Sequence, residues 1–466
     1  MSRVCSRLFL CFLLGCAALW GAPKYVILFL GDGFGQNQRT LTEIAAGERL
    51  ALDTLPARAP MTTHNVLGET TDSAASGTAI ACGVKTRNGM LGQDKDGKPV
   101  ESFARYLQAR GFKIGIVTSS PLNDATPAAY FAHQDSRKNS RAITDEMASS
   151  GFDFFGGQAP APGKKESSRE AARLTKAALE KAGYAVREGP DCLTDIAPGQ
   201  KTAALCTPLT PGFSTDQKAP TLAAFTEAAI RALDNPTGFF LMVEKGDTDY
   251  AGHQNDAGKL VRETLDFDAA VKVGLAFQKG HPADTLIIVT ADHETGGLQL
   301  DNPTRETLAR LFAQKSPLTE LQKQVRALAK GGDPQAQEKA IALLQDALLS
   351  GEAAFTDAER ARLAAVWARY VAALKDPKLD GALPGLESMY GKYAAPVVEA
   401  FRIRDARAHI RYTTFGHTNT PVWTGASGPG HEAFAQPMDN TDFYKKITAI
   451  VFPPQNSQTA AAIPSP

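Results

Sequence analysis

Asp32, Glu244, Asp249, His253, Asp292, His293 and His417 have the types and spacing to hold metal ions, and Ser73 is a candidate nucleophile. Asp249 and His253 are four residues apart, so on a helix they share one face and can grip one ion. Asp292 and His293 are adjacent, and His417 lies in a Gly-His-Thr loop. Four carboxylates and three imidazoles result. Carboxylate and imidazole donors suit zinc, and the carboxylates also suit magnesium. Singly, each histidine reads as a core residue, and Asp249 with His253 as a solvated ion pair. Jointly they read as a metal centre, because each falls at a strand end or in a glycine-flanked loop.

Ser73 opens the run Ser73-Ala74-Ala75-Ser76-Gly77-Thr78-Ala79, directly behind Asp72. Small side chains allow tight packing, so Ser73 is expected to be the first residue of a buried helix. A helix N-terminus presents free N–H groups and a positive dipole end, which suit an anion such as phosphate. A serine there needs activation to act as a nucleophile. No Gly-x-Ser-x-Gly elbow surrounds it. Alone, the stretch reads equally well as an alanine-rich helix with a Ser/Asp cap.

The elements that must position these groups follow from hydrophobic patterning. Residues 24–31 (KYVILFLG) form a continuous apolar run, read as a buried parallel strand that ends in Gly-Asp-Gly at Asp32. A carboxylate in that loop repels a pyrophosphate and suits a cation. Further strands are expected at 113–119, within 151–157, at 238–243 ending at Glu244, and at 285–290 ending at Asp292-His293. Helices are expected after Thr126 (carrying His133 and Arg137), at 166–181 and at 217–233. Alternating strands and helices predict an α/β three-layer sandwich with a mainly parallel central sheet, and sites in such sheets form at the carboxyl ends of strands.

From about residue 302 to 410 the pattern becomes helical. Three helices are expected, after Ser316-Pro317, after Asp333-Pro334, and after Thr356, whose capping box uses Glu359. This reads as an α-helical insertion (302–410) between two parts of one catalytic domain, 23–301 and 411–453. Residues 454–466 form a Pro/Ala/Ser tail, expected to be disordered.

Residues 1–22 read as an export signal: Arg3 and Arg7 precede an apolar run from Leu8 to Trp20, too short for a membrane span. Leu13-Leu14-Gly15-Cys16 matches a lipobox that would leave a lipid anchor on Cys16; cleavage near Ala17 or Ala18 is the competing and preferred reading. Cys192 and Cys206 could close a disulfide in an oxidising compartment or stay as two buried thiols. Lys plus Arg and Asp plus Glu each total 50, so the formal net charge is zero and no nucleic-acid partner is indicated.

The chain resembles the alkaline phosphatases. The motifs are Gly-Asp-Gly at Asp32, Asp-Ser-Ala-Ala at Ser73, Asp-Ala-Thr-Pro-Ala at Thr126, Glu-x4-Asp-x3-His from Glu244, Thr-Ala-Asp-His at Asp292 and Gly-His-Thr at His417. The resemblance implies that Ser73 becomes a phosphoserine and that two Zn2+ and one Mg2+ are bound. One zinc would take Asp249, His253 and His417; the other Asp32, Asp292, His293 and the Ser73 oxygen; magnesium Asp32, Thr126 and Glu244. Arg137, at the family's spacing, would clamp two phosphate oxygens. Asp124 would order magnesium-bound water. Tyr250 stands where some members carry lysine or histidine and others an aromatic residue, and Lys245 replaces a common small residue. His133 and His431 read as supporting or structural, His64 and His409 as structural or surface.

The implied activity is hydrolysis of small phosphate monoesters by a periplasmic or secreted enzyme, with a homodimer as a family habit. Two readings compete: a phosphodiesterase of the same superfamily, and a non-catalytic surface binding protein on this fold. A guanidinium at Arg137 would meet the substituted oxygen of a diester, which favours monoesters.

Overall fold

The computed structural model describes residues 21–207, 213, 219–351, 353–376 and 378–453. The export-signal reading (apart from residues 21 and 22), the tail and the start expected for the 217–233 helix lie outside the described residues.

Ten strands build one sheet. Eight come in chain order: β1 (Tyr25–Gly31), β2 (Ala57–Thr62), β3 (Lys113–Pro121), β4 (Phe154–Gln158), β5 (Ala185–Glu188), β6 (Thr202–Leu205), β7 (Phe239–Lys245) and β8 (Thr285–Ala291). Strands Val422–Ser427 and Met438–Asp439 complete it. From β8 the order runs β1, β7, β3, β4, β6, β5, all parallel; Val422–Ser427 lies antiparallel between β8 and β2. The expected α/β fold with a mainly parallel sheet is therefore present. β1, β7 and β8 are buried along their whole length, which is why their sequences are apolar without alternation.

Register fixes the site. Gly31 pairs with Lys245 on one side and with Ala291 on the other, and Glu244 pairs with Thr118. Asp32, Glu244 and Asp292 therefore emerge in one row from adjacent strands.

Two expectations on helices are corrected. After Thr126 only a four-residue helix forms, Ala125–Ala128, and His133 and Arg137 lie in the following loop. The chain turns back there: Gln134 bridges to Leu91, and the Arg137 N–H donates to Gly89 O. The helix expected from residue 217 begins at Leu222, where the Thr221 side chain caps it. A 24-residue helix, Ala257–Gly280, has no clear hydrophobic period in the sequence. Its buried residues include Lys259, Glu263, Asp266 and Asp268, so its apolar stripe is interrupted by charge.

Beyond residue 302, helix Arg305–Ala313 buries Leu308 and Leu311 with Leu41, Leu260 and Val261 of the sheet-flanking layer. Helices Leu318–Lys330, Ala336–Leu348, Asp357–Leu374 and Ala395–Arg407 share a second core. Asp256 ties the two parts together. Its buried carboxylate caps its own helix at Lys259 N (3.0 Å) and accepts from Leu318 N (2.9 Å) and Gln314 Nε2 (3.0 Å). Cys192 and Cys206 form a disulfide, and Cys82 is buried with burial pushing its thiol up to about 12.

Candidate metal centre and nucleophile

Ser73 is the first residue of helix Ser73–Cys82, and Asp72 is its N-cap, accepting from Ala75 N. Every residue of that helix is buried, as its small side chains require. Ser73 Oγ lies 3.3 Å from His293 Nε2, which places the hydroxyl at the edge of the cluster of candidate metal donors.

Two groups of donors converge: Asp249, His253 and His417, and Asp32, Asp249 and His293, the donor atoms within each lying within 4.8 Å of one another. Asp249 and His253 sit on the short helix Asp247–Gln254 that follows β7, four residues apart, with His253 Nε2 3.3 Å from Asp249 Oδ2. His417 reaches them through a two-residue ladder in which His417 pairs with Thr295. Its Nε2 lies 3.1 Å from His253 Nε2 and 3.6 Å from Asp249 Oδ1. The resemblance gave Asp249 to one ion only; the geometry sets its carboxylate between both groups.

Asp292 completes the second group from the side. Its Oδ1 accepts from Gly33 N (3.0 Å) and His293 N (2.9 Å), while Oδ2 lies 3.3 Å from His293 Nε2. Thr126 Oγ1 donates to Asp32 Oδ2 at 3.3 Å, and the Thr118 hydroxyl donates to Glu244. Gly33 has a positive φ of +64°, and a Cβ there would stand 2.6 Å from Asp249 Oδ1. That close approach is the physical content of the Gly-Asp-Gly motif.

Burial of so many carboxylates sets their protonation. Burial, reinforced by Asp292 and Asp249, raises Asp32 well above the usual carboxylate range. Burial pushes Glu244 up to about 8, and burial with Asp249 pushes Asp292 up to about 7. Asp249 resists burial and is held low by its hydrogen bond to His253 and by that ring's charge. Burial and His417 push His293 well below the ordinary imidazole value, so its ring is neutral.

Arg137 stands at the rim. Its Nη2 donates to Asp124 Oδ1 at 2.9 Å and its Nη1 to Asp72 Oδ2 at 3.3 Å. Tyr250 OH donates to Asp124 Oδ2 at 3.0 Å, so Asp124 holds both groups. Lys245 takes no part: neighbours along a strand face opposite ways, and its buried ammonium pairs with Glu263 (2.6 Å) and Asp266 (2.7 Å) on helix Ala257–Gly280. His133 bonds Val100 O, His431 bonds Gly428 O, and His64 is 3.9 Å from Asp439.

Thr295 and Thr118 were missed by sequence reasoning. The Thr295 hydroxyl donates to Asp249 and lies 3.2 Å from His293 Nδ1, joining the two groups. Its position two residues after His293 is the only linear signal, and threonine is too common for that to suffice.

A family model described as alkaline phosphatase matches residues 23–155 and 209–452. Alkaline phosphatase 4 of Bacillus subtilis (strain 168) is 32% identical over 388 residues, spanning 80% of this chain and 74% of that protein. Alkaline phosphatase 3 of the same organism is 28% identical over 457 residues, spanning 91% and 88%. Among solved structures, Thermus thermophilus alkaline phosphatase matches with a TM-score of 0.75 and 25% identity over 92% of each chain. The cold-active alkaline phosphatase of the psychrophile Shewanella sp. matches with a TM-score of 0.74 and 26% identity, over 92% of this chain and 99% of that one.

Proposed function

The chain belongs to the alkaline phosphatase family and is a phosphomonoester hydrolase, and from that premise we propose that it is exported and acts through a phosphoserine on Ser73, served by two zinc ions and one magnesium ion. The observation that carries this reading is Ser73 Oγ, 3.3 Å from His293 Nε2, at the edge of a buried cluster of carboxylates and imidazoles.

The donor set fits metal ions. Asp32 Oδ1 and Asp292 Oδ2 are buried with no hydrogen-bond partner. Buried anionic oxygens left unpaired are costly unless a cation meets them. The Nε2 atoms of His253 and His417 face each other, as expected of two lone pairs directed at a shared cation. Asp249, His253 and His417 would hold one zinc, and Asp32, Asp292, His293 and Ser73 the other. Asp32, Thr126 and Glu244 would hold magnesium, with Asp124 beside them. Divalent ions bound there supply positive charge that eases deprotonation of hydroxyl groups and neutralises a departing oxygen.

The chain's own residues account for the rest. The N-terminus of helix Ser73–Cys82 directs free N–H groups at the transferring phosphoryl group. Ser73 Oγ forms the bond to phosphorus while the bond to the alcohol oxygen breaks. Water then displaces Ser73 and releases phosphate. Arg137, aimed by Asp72 and Asp124, offers its guanidinium fork to two phosphoryl oxygens. A diester would present a substituted oxygen there, so monoesters are the substrates.

The Cys192–Cys206 disulfide supports an oxidising compartment outside the cytoplasm. No helix of the described residues is long and apolar enough to cross a membrane.

The test compares p-nitrophenyl phosphate with bis-p-nitrophenyl phosphate, before and after EDTA, with zinc and magnesium restored, beside Ser73→Ala. Monoester activity lost on chelation, regained with metal and absent in Ser73→Ala is the expected result. A preference for the diester would replace this reading with the phosphodiesterase one.

A further inference from the structure

We propose that Lys392, carried on the turn between Tyr390 and Ala394, selects phosphate monoesters whose leaving group bears a second negative charge, because that turn is seated on Phe415 beside His253 and His417. The inference rests on the phosphomonoesterase reading of the same site and names a substrate class for it.

The turn is fixed by contacts with the catalytic module. Helix Glu387–Tyr390 ends at Gly391, whose φ is +56°. A Cβ on Gly391 would stand 3.0 Å from Phe415 Cγ, so the ring packs against bare backbone. The Tyr393 ring meets the Phe415 ring at 5.7 Å from the other side of Lys392. Phe415 in turn belongs to the site: its carbonyl accepts from His253 Nδ1, and His417 follows two residues later. The turn thus reaches the site through a single aromatic side chain.

Lys392 is exposed, and its Nζ lies 5.9 Å over the Tyr393 ring. No carboxylate pairs with it among the described residues. Both residues that flank Lys392 in the chain, Gly391 and Tyr393, pack on Phe415, whose carbonyl holds His253, so the lysine is carried beside the Asp249, His253 and His417 group. Arg137, by contrast, is engaged by Asp72 and Asp124 on the Ser73 side.

In-line displacement supplies the direction. Nucleophile and leaving group occupy opposite sides of the phosphorus. Ser73 touches His293, so the leaving group departs by the end of the centre that Ser73 does not touch, where Asp249, His253 and His417 stand. An uncommitted ammonium at that exit attracts an anionic leaving group, leaves a neutral one unaffected and repels a cationic one. At an exposed site the effect is modest and screened by salt.

The experiment measures kcat/KM of the zinc- and magnesium-loaded full chain for phenyl phosphate, 4-carboxyphenyl phosphate and phosphocholine. Lys392→Ala is expected to lower kcat/KM for the carboxylated ester about threefold to fivefold, through KM, as befits an exposed charge pair. Phenyl phosphate should be unchanged and phosphocholine improved. Lys392→Arg should keep the wild-type pattern, Lys392→Glu should invert it, and 0.5 M NaCl should erase the difference. Equal change on all three esters, or none on any, overturns the role of Lys392 while leaving the phosphomonoesterase reading intact. Wild-type protein inactive on all three overturns that reading, and this one with it.

Discussion

His253 and His417, 164 residues apart in the chain, face each other through their Nε2 atoms at 3.1 Å. Each ring is anchored by its other nitrogen, His253 at the Phe415 carbonyl and His417 at the Thr71 carbonyl (2.8 Å). Second partners of this kind fix which nitrogen is offered to an ion. Thr71 precedes Asp72 and Ser73, so the same contact links this pair to helix Ser73–Cys82.

His417→Ala removes a donor from one group and leaves the other complete. Bound zinc, measured by elemental analysis, should fall by about one equivalent per chain, and kcat/KM by at least about 100-fold. Retention of full zinc content would show that His417 is not a ligand.

Thr295→Val keeps the shape of a fully buried side chain but deletes the hydroxyl that joins Asp249 to His293. Loss of such an orienting partner should cost about 10- to 100-fold in activity or zinc affinity. Circular dichroism and activity titrated against free zinc separate this from misfolding.

The metal-free protein should lose stability as pH rises. Glu244 near 8, Asp292 near 7 and Asp32, also raised, bind protons more tightly folded than unfolded, where carboxyls titrate near 4. Between about pH 4 and 8 the folded state therefore carries more protons, and stability falls with increasing pH. Melting temperatures in EDTA should decline from pH 5 to 8, while zinc and magnesium should remove most of that slope. A flat profile in EDTA would contradict the carboxylate cluster.

Arg137→Ala should raise KM for p-nitrophenyl phosphate and reduce the monoester-over-diester preference if, as proposed, the guanidinium fork acts on unsubstituted phosphoryl oxygens. Asp124→Asn, which weakens the hold on both Arg137 and Tyr250, should move KM in the same direction by less. An unchanged monoester preference in Arg137→Ala would remove the arginine from substrate binding.

Asp256→Ala should destabilise the fold by about 3 kcal/mol, because Lys259 N, Leu318 N and the Gln314 amide would lose one shared buried acceptor. Thermal melting of the metal-loaded variant checks this. Appearance of a separate, earlier transition would place the damage in the helical core that begins at Leu318.

The sequence alone determined the sheet strands that carry the site, because β1, β7 and β8 are buried on both faces and must be apolar without interruption. It also located the small-residue helix at Ser73, which no larger side chains could pack, and the ligand types at the strand ends. It misjudged the loop after Thr126, where the return of Gln134 to Leu91 outweighs local helix preference, and it passed over helix Ala257–Gly280, whose apolar stripe is broken by Glu263 and Asp266, which pair with Lys245 at the end of β7. Only the tertiary structure decided which donors converge, since strand register and the His417–Thr295 ladder bring together residues that no spacing relates. It also set Asp249 between both groups, exposed Thr295 as their link, and laid the Lys392 turn on Phe415, because each of these depends on surfaces that meet only once the sheet has assembled.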